Sequence, residues 1–441
     1  MRKMQRFAAL GLAGTMALSL AACGGSSAST TDSTPASTAS STEATAESTA
    51  SGDSVTLNWA LWDKDSTAYW AALADGYMAS HPGVTIEMTD LGSTDYMTQL
   101  ATQLAGGNGE LDVLSIKDIP GYSNLINLGM LEPLSGKLTT DESKFNGVLD
   151  QLTAEDGNYY AVPFRSDFWV VYYNKDIFDQ AGIEYPTNDM TMADFDAKIR
   201  EVYEKTGIYG NIYHTWRSTT TLFGILDGKN TVIDGNYDFL KPYYEQVMAE
   251  QTDGVIPNYG EQKTANLHYS GAFQTGDTAM MPMGYWYVAT LINNIKNGLC
   301  DFEWGITALP HKEDVQAGSS FGNLTGIMIN KKSEHKDLAW EYVSWLCGPE
   351  GAKVTAGCGN RPAWVSEEVA EVLASVDGFP QDENSKKALL PSMVSIEIGV
   401  SDKLAEIQTI LNEEHTMIMT REISVDEGIE EMNERVAELY E

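Results

Sequence analysis

From Ser54 to Glu441 the sequence predicts an α/β protein in two lobes. Segments that alternate like strands take turns with segments of helical spacing, the pattern of a parallel α/β sheet. The 388 residues of that stretch are also more than one ordinary core serves, and they fit two lobes better than one.

The elements follow in order. Val55 to Leu61 alternates as a strand, and Thr67 to Met78 places Tyr69, Trp70, Leu73 and Tyr77 at helical spacing. Val84 to Met88 reads as a strand, Tyr96 to Leu104 as a helix, Leu111 to Ile116 as a short apolar strand, and Gly121 to Leu128 as a helix. Phe168 to Tyr173 is a strand closed by the turn Asn174-Lys175-Asp176. Met192 to Lys205 is a helix with Thr191 as its cap. Ala279 to Met283, Phe302 to Ala308 and Thr325 to Asn330 are further strands. Ser333 to Leu346 is an amphipathic helix, and 402–441 reads as long helices. There is no internal repeat.

Ahead of this stretch, Arg2, Lys3 and Arg6 precede an apolar run from Phe7 to Leu20, too short to span a membrane as a mature helix, so residues 1–22 read as a secretory signal. From Gly24 to Asp53 only Gly, Ser, Ala, Thr, Pro, Asp and Glu occur, which predicts a disordered linker. The formal net charge of −35 argues against nucleic acid or anionic lipid as a partner. Cys347 and Cys358 flank the end of one helix and the start of another and are candidates for a disulfide outside the cell; Cys300 reads as a small buried side chain. No Cys/His spacing suggests a zinc site, and no cofactor is expected.

Several phrases then stand together. Leu20-Ala21-Ala22-Cys23 resembles the lipobox of bacterial lipoproteins. The segment from Phe273 to Trp286 resembles the F-x-x-G-x-x-A-M-x-x-x-G-x-W signature of bacterial extracellular solute-binding proteins of the sugar-transporter class, resembling maltodextrin-binding proteins. Tyr173-Asn174-Lys175-Asp176 matches that family's YNKD, Trp304 to Pro310 its strand ending in LP, and Asp337 to Gly351 its helix ending in PEG. The resemblance spans Val55 to about Glu441. It implies the two-lobed periplasmic-binding-protein fold, type II-like, with the N-terminal lobe at 54–163 plus 310–355 and the C-terminal lobe at 164–309 plus 356–441. It further implies a monomeric binding protein, not an enzyme, attached by a lipid on Cys23 through residues 23–53. Such a protein captures a carbohydrate, an oligosaccharide by expectation, between its lobes and delivers it to the permease of an ABC transporter.

A sugar offers an apolar face and a rim of hydroxyls, so its site needs flat rings together with acids, bases and amides. Trp62, Asp63 and Lys64 end the first strand, where the resemblance places an acid and a base on sugar hydroxyls. Lys117 and Asp118 follow the third strand; Asp118 reads equally as a helix cap. Asp167 matches an acidic ligand position counted back from YNKD, with Arg165 as a second contact or as its structural partner. Trp216 and Arg217 occupy a segment where maltodextrin-binding members carry an acid and a tyrosine, and no late aromatic appears between Ile396 and Leu411; both departures argue against malto-oligosaccharide. Trp286 is the expected stacking platform with Tyr285 beside it, Gly322 and Asn323 fall where the family crosses between lobes, and Arg361 lies in the loop after the PEG helix.

Two other readings compete. Asp63, Asp118 and Asp167 are acids of the kind a secreted glycoside hydrolase uses. A receptor for a polyamine or a metal is the other, opposed by Lys64, Arg165 and Arg217 among the candidate contacts. Gly318-Ser319-Ser320-Phe321-Gly322 has the form G-x-S-x-G, but it follows a polar loop and lacks the strand-to-helix context of a hydrolase elbow.

Overall fold

Val55–Leu61 (β1) turns Leu57, Trp59 and Leu61 fully inward, and the indole N–H of Trp59 donates to Ser115 Oγ at 2.9 Å, so a large ring is buried with its polar atom satisfied. The computed structural model describes residues 54–441 apart from 93, 108 and 402. The signal segment, Cys23 and the linker lie outside the described residues. Val84–Asp90 (β2) and Val113–Ser115 (β3) flank β1 in parallel, pairing Val55 with Val84 and Trp59 with Val113. The helices Ala68–Ser80 and Tyr96–Ala105 make the crossovers that parallel neighbours require.

The rest of the framework corrects the parallel expectation. Ala161–Ser166 (β4) crosses from this sheet into Trp169–Asn174 (β5), which pairs antiparallel with both Met280–Gly284 (β6) and Trp304–Thr307 (β7). The chain then returns through Ser319–Gly322 (β8) to Leu324–Ile329 (β9), which lies antiparallel between β3 and β4. Because β9 arrives from the second sheet rather than from a helix on the first, it runs against its neighbours. Met393–Ile396 (β10) pairs in parallel with β8, so Ser319–Gly322, to which the sequence reading assigned no element, is a buried strand.

The resulting sheets have the orders β2-β1-β3-β9-β4, β6-β5-β7 and β10-β8. The molecule is the mixed α/β, two-lobed architecture of periplasmic binding proteins. Helices Lys336–Leu346 and Pro349–Gly357 pack with Ala68–Ser80 on the first sheet, whereas Glu383–Lys387 packs on β7. The helix Met192–Thr206 begins at a reciprocal capping box of Thr191 and Asp194, and Val425–Ala437 at one of Ser424 and Glu427. Among the described residues no helix is long and apolar enough to cross a membrane.

The expected disulfide is not formed: Cys347 and Cys358 are both free. They cap the C-terminal ends of successive helices with Pro349–Gly357 running between them. Nine helical residues separate their backbones by about 13 Å, beyond disulfide reach. The Cys347 thiol instead meets the Val162 carbonyl at 3.5 Å, and burial pushes it well up.

Candidate ligand-binding site

The helix Leu404–Met419 carries Gln408, Asn412, His415 and Thr416 at positions i, i+4, i+7 and i+8, a single polar face. That face forms one wall of a cavity of about 570 Å³, within the range of small-molecule sites. The other walls are the turn Thr215–Ser218, the rings of Trp169 and Trp286, Tyr259 and Lys263, Asn323 and Glu397. Four residues singled out in the sequence therefore meet here: Trp216, Arg217, Trp286 and Asn323.

Each is held for a local reason. Trp286 follows β6, and its ring folds back across Gly284, where any Cβ would collide with it. It stands edge-on to Trp169, ring centroids 5.5 Å apart. Trp216 is 42% exposed against His214 and Tyr269, an unusually open indole for a ring so supported. Arg217 is the reverse, 5% exposed, with Nε donating to Asn412 Oδ1 at 3.3 Å and Nη2 to Gln408 Oε1 at 2.9 Å, while Nη1 has no partner. Burial lowers the pKa of its guanidinium from the ordinary value. Asn323 donates at 3.0 Å to Glu397 Oε2, and Ser218 donates at 2.6 Å to Glu397 Oε1. Burial raises the Glu397 carboxyl above its usual range, against the pull of Ser218, Arg217 and Asn323. His415 meets the Tyr244 hydroxyl at 3.0 Å through Nδ1, and burial holds its pKa down at about 3, so it is neutral.

A second group lies where the chain crosses between the sheets. Arg165 pairs with Asp167 at 3.8 Å and lies over Tyr69 at 5.7 Å. Arg361 is 2% exposed; it donates to the Ser166 carbonyl at 2.8 Å and lies over Phe168 at 4.4 Å, leaving Nε and Nη2 without partners. Burial lowers its pKa to about 10, opposed by Asp167 and Tyr285. Tyr285 is buried and stacked on Phe168 at 5.3 Å, so it supports this crossing from behind. Gly322 differs from its sequence reading: a Cβ there would collide with the Asp167 carbonyl, so the close approach it permits is by the chain's own crossover and not by a ligand.

The first sheet supplies a third group. Trp62 is half-buried against Trp70 and Tyr96, with Lys117 Nζ 5.6 Å from its ring center. Asp63 adopts a left-handed backbone, φ 51°, a conformation costly for a residue with a Cβ, which turns the chain at the end of β1. The amide of Lys64 is fixed by Asp90 Oδ2 at 2.8 Å. Burial raises the pKa of the Tyr69 hydroxyl, with Arg165 opposing and Asp167 and Asp63 adding to the rise. Asp118 caps its helix, accepting from the Gly121 amide at 2.7 Å, and with Lys117 lines a separate groove of about 370 Å³.

Trp169, Lys263, Glu397, Gln408 and Asn412 were not anticipated. The residues at 408, 412, 415 and 416 share helical spacing, but Glu406, Thr409, Glu413 and Glu414 on the same helix mask the stripe in the sequence.

An α/β receptor with rings and hydrogen-bonding groups gathered in a cavity beside its interlobe crossovers is a solute-binding protein by fold and site. The profile of the bacterial extracellular solute-binding protein family matches residues 63–353. The chain belongs to that family, whose members serve ABC transporters from outside the cytoplasmic membrane. It is 47% identical to a sugar transporter protein of Rhizobium etli solved in an open conformation, covering 87% of this chain and 99% of that one with a TM-score of 0.84. The sugar-binding protein MalE of Xanthomonas citri shares the fold at 20% identity, covering 87% of this chain and 97% of that one, TM-score 0.70. A lactose-binding protein of Rhizobium radiobacter is 27% identical over 305 residues, 64% of this chain and 68% of that protein.

Proposed function

We propose that the protein captures a carbohydrate, an oligosaccharide by the size of its cavity, between its two lobes and releases it to the permease of an ABC transporter. The observation that carries this is the cavity that joins the indoles of Trp216 and Trp286, the latter backed by the buried Trp169, to Arg217, Asn323 and Glu397. Rings suit the apolar face of a sugar, and charged groups and amides suit its rim. The names of the relatives from Rhizobium etli and Rhizobium radiobacter support the same class of solute. Trp62, Asp63, Lys64 and Lys117 form the opposing contacts in this reading, and Arg165, Asp167 and Arg361 the base. The lobes divide where β4 passes into β5, where β7 passes into β8, and again near Arg361.

The protein acts as a lipid-anchored monomer through Cys23, and it changes nothing in its ligand. Against a hydrolase stands the engagement of the candidate acids: Asp118 caps a helix and Asp167 pairs with Arg165. Thermal-shift screening against mono-, di- and trisaccharides of several linkages tests the reading, since a ligand that binds only the folded chain raises its melting temperature. No shift with any saccharide, alongside a shift with another class of solute, would sink it.

A further inference from the structure

The donors and acceptors of the cavity do not balance. Asn412 and Gln408 both turn their side-chain oxygens to Arg217, so each leaves its NH₂ group for something else, and Gln408 Nε2 is buried without a partner. Arg217 Nη1 is likewise buried and unpartnered. Lys263 Nζ bonds the hydroxyls of Tyr259 at 3.2 Å and Thr416 at 3.1 Å and lies 5.4 Å from the Tyr259 ring center. The one carboxylate in the wall, Glu397, has both oxygens engaged, by Ser218 and Asn323.

The charges do not balance either. Among the described residues neither Arg217 nor Lys263 makes an ion pair within 4.0 Å, although the whole chain carries a net charge of −35. Both line the cavity together with His415. A neutral sugar hydroxyl gives as well as accepts, and it suits a wall of mixed groups. This wall sets two cations and unpartnered N–H groups beside a single carboxylate, Glu397, which acts on Arg217 from beyond ion-pair distance, and a buried donor left unpaired is costly.

We propose that the cognate saccharide carries an oxyanion, a carboxylate or a phosphate, that docks against Arg217 and Lys263 in this cavity. The inference rests on the carbohydrate reading above and narrows it to acidic sugars. A carboxylate would take the unpaired Arg217 N–H and the Gln408 amide together, and charge-assisted bonds of that kind are about twice as strong as neutral ones.

Calorimetry on the full folded chain with size-matched pairs tests it: digalacturonate against galactobiose, an aldobiouronic acid against xylobiose, and a sugar phosphate against its parent sugar. In at least one pair the acidic member binds at least about tenfold tighter. Preference for the carboxylates or for the phosphate names the source of the anion. The Lys263→Gln variant, which can still bond the hydroxyls of Tyr259 and Thr416 through its amide, keeps its melting temperature and loses most of that preference, and Arg217→Gln loses it too. Equal or tighter binding of the neutral members overturns the inference while leaving a sugar receptor in place. So does an acidic preference unchanged in Lys263→Gln and Arg217→Gln. Failure of every saccharide, acidic and neutral, overturns the carbohydrate reading itself.

Discussion

Trp286 stands edge-on to Trp169 at 5.5 Å and 89° while its ring covers Gly284, so one indole is held by a strand on one side and left to the cavity on the other. Its position is fixed without a hydrogen bond. Trp286→Ala is expected to weaken sugar binding by about 1.5–3 kcal/mol, the burial of one large apolar side chain, and to lower the melting temperature only modestly. Gly284→Ala should do much the same, because the added methyl occupies the ring's place. Titration calorimetry beside melting curves separates the outcomes; unchanged affinity with a large fall in stability would make Trp286 a core residue.

Glu250 is fully buried, and burial raises its carboxyl to about 8, with Gln246 donating to Oε1 at 2.8 Å. A carboxyl raised in the folded state binds its proton there while the unfolded chain has already lost it. Its contribution is therefore fully present below about 4.5 and is lost as pH rises through 8. Glu250→Gln should match the wild type near pH 4.5 and exceed its melting temperature at pH 8. Melting curves across that range check it, and a variant less stable at pH 8 would contradict it.

His415 works in the opposite sense. Its folded pKa of about 3 lies below the ordinary 6.5, so stability is present above that value and is lost as the pH falls toward 3. His415→Gln should flatten the loss of stability between pH 6 and 4, measured by denaturant titration at each pH.

Much of the framework was legible because local pattern and tertiary pairing agree. Val55–Leu61 was bounded to the residue by its alternation, and Thr191 announced the helix that it caps. The antiparallel half was hidden because β9 is reached by a return from the other sheet, and strand direction leaves no mark on the side chains. Trp286 was found through its motif, whereas Trp169, Lys263, Glu397 and Gln408 come from distant segments and meet only in the folded chain. Gly322 looked like a ligand contact, since a sequence does not tell which backbone makes the close approach.

The three thiols of the described chain should titrate as free. Denatured protein reacts at Cys300, Cys347 and Cys358, while in the folded protein Cys347 stays unreactive because it is buried and its pKa is raised. A reductant leaves the melting temperature unchanged. A fall in melting temperature under reductant would show a bond between Cys347 and Cys358.

Closure is the last expectation, and it follows from how the proposed contacts are divided. Trp62, Asp63 and Lys64 stand at the end of β1 in the first sheet, whereas Trp216, Arg217 and Trp286 stand with the second, so neither group alone surrounds a sugar. A ligand shifts an open–closed equilibrium only by its differential affinity for the two states, and contacts completed only on closing supply that difference. Adding the cognate sugar should shrink the radius of gyration in solution scattering, and chromatography should recover the sugar intact. Asp63→Asn with Lys64→Gln removes the first-lobe partners, and that variant should bind more weakly and contract less. Tight binding with unchanged scattering would mean that the first lobe takes no part, and recovery of a cleaved sugar would make the protein an enzyme.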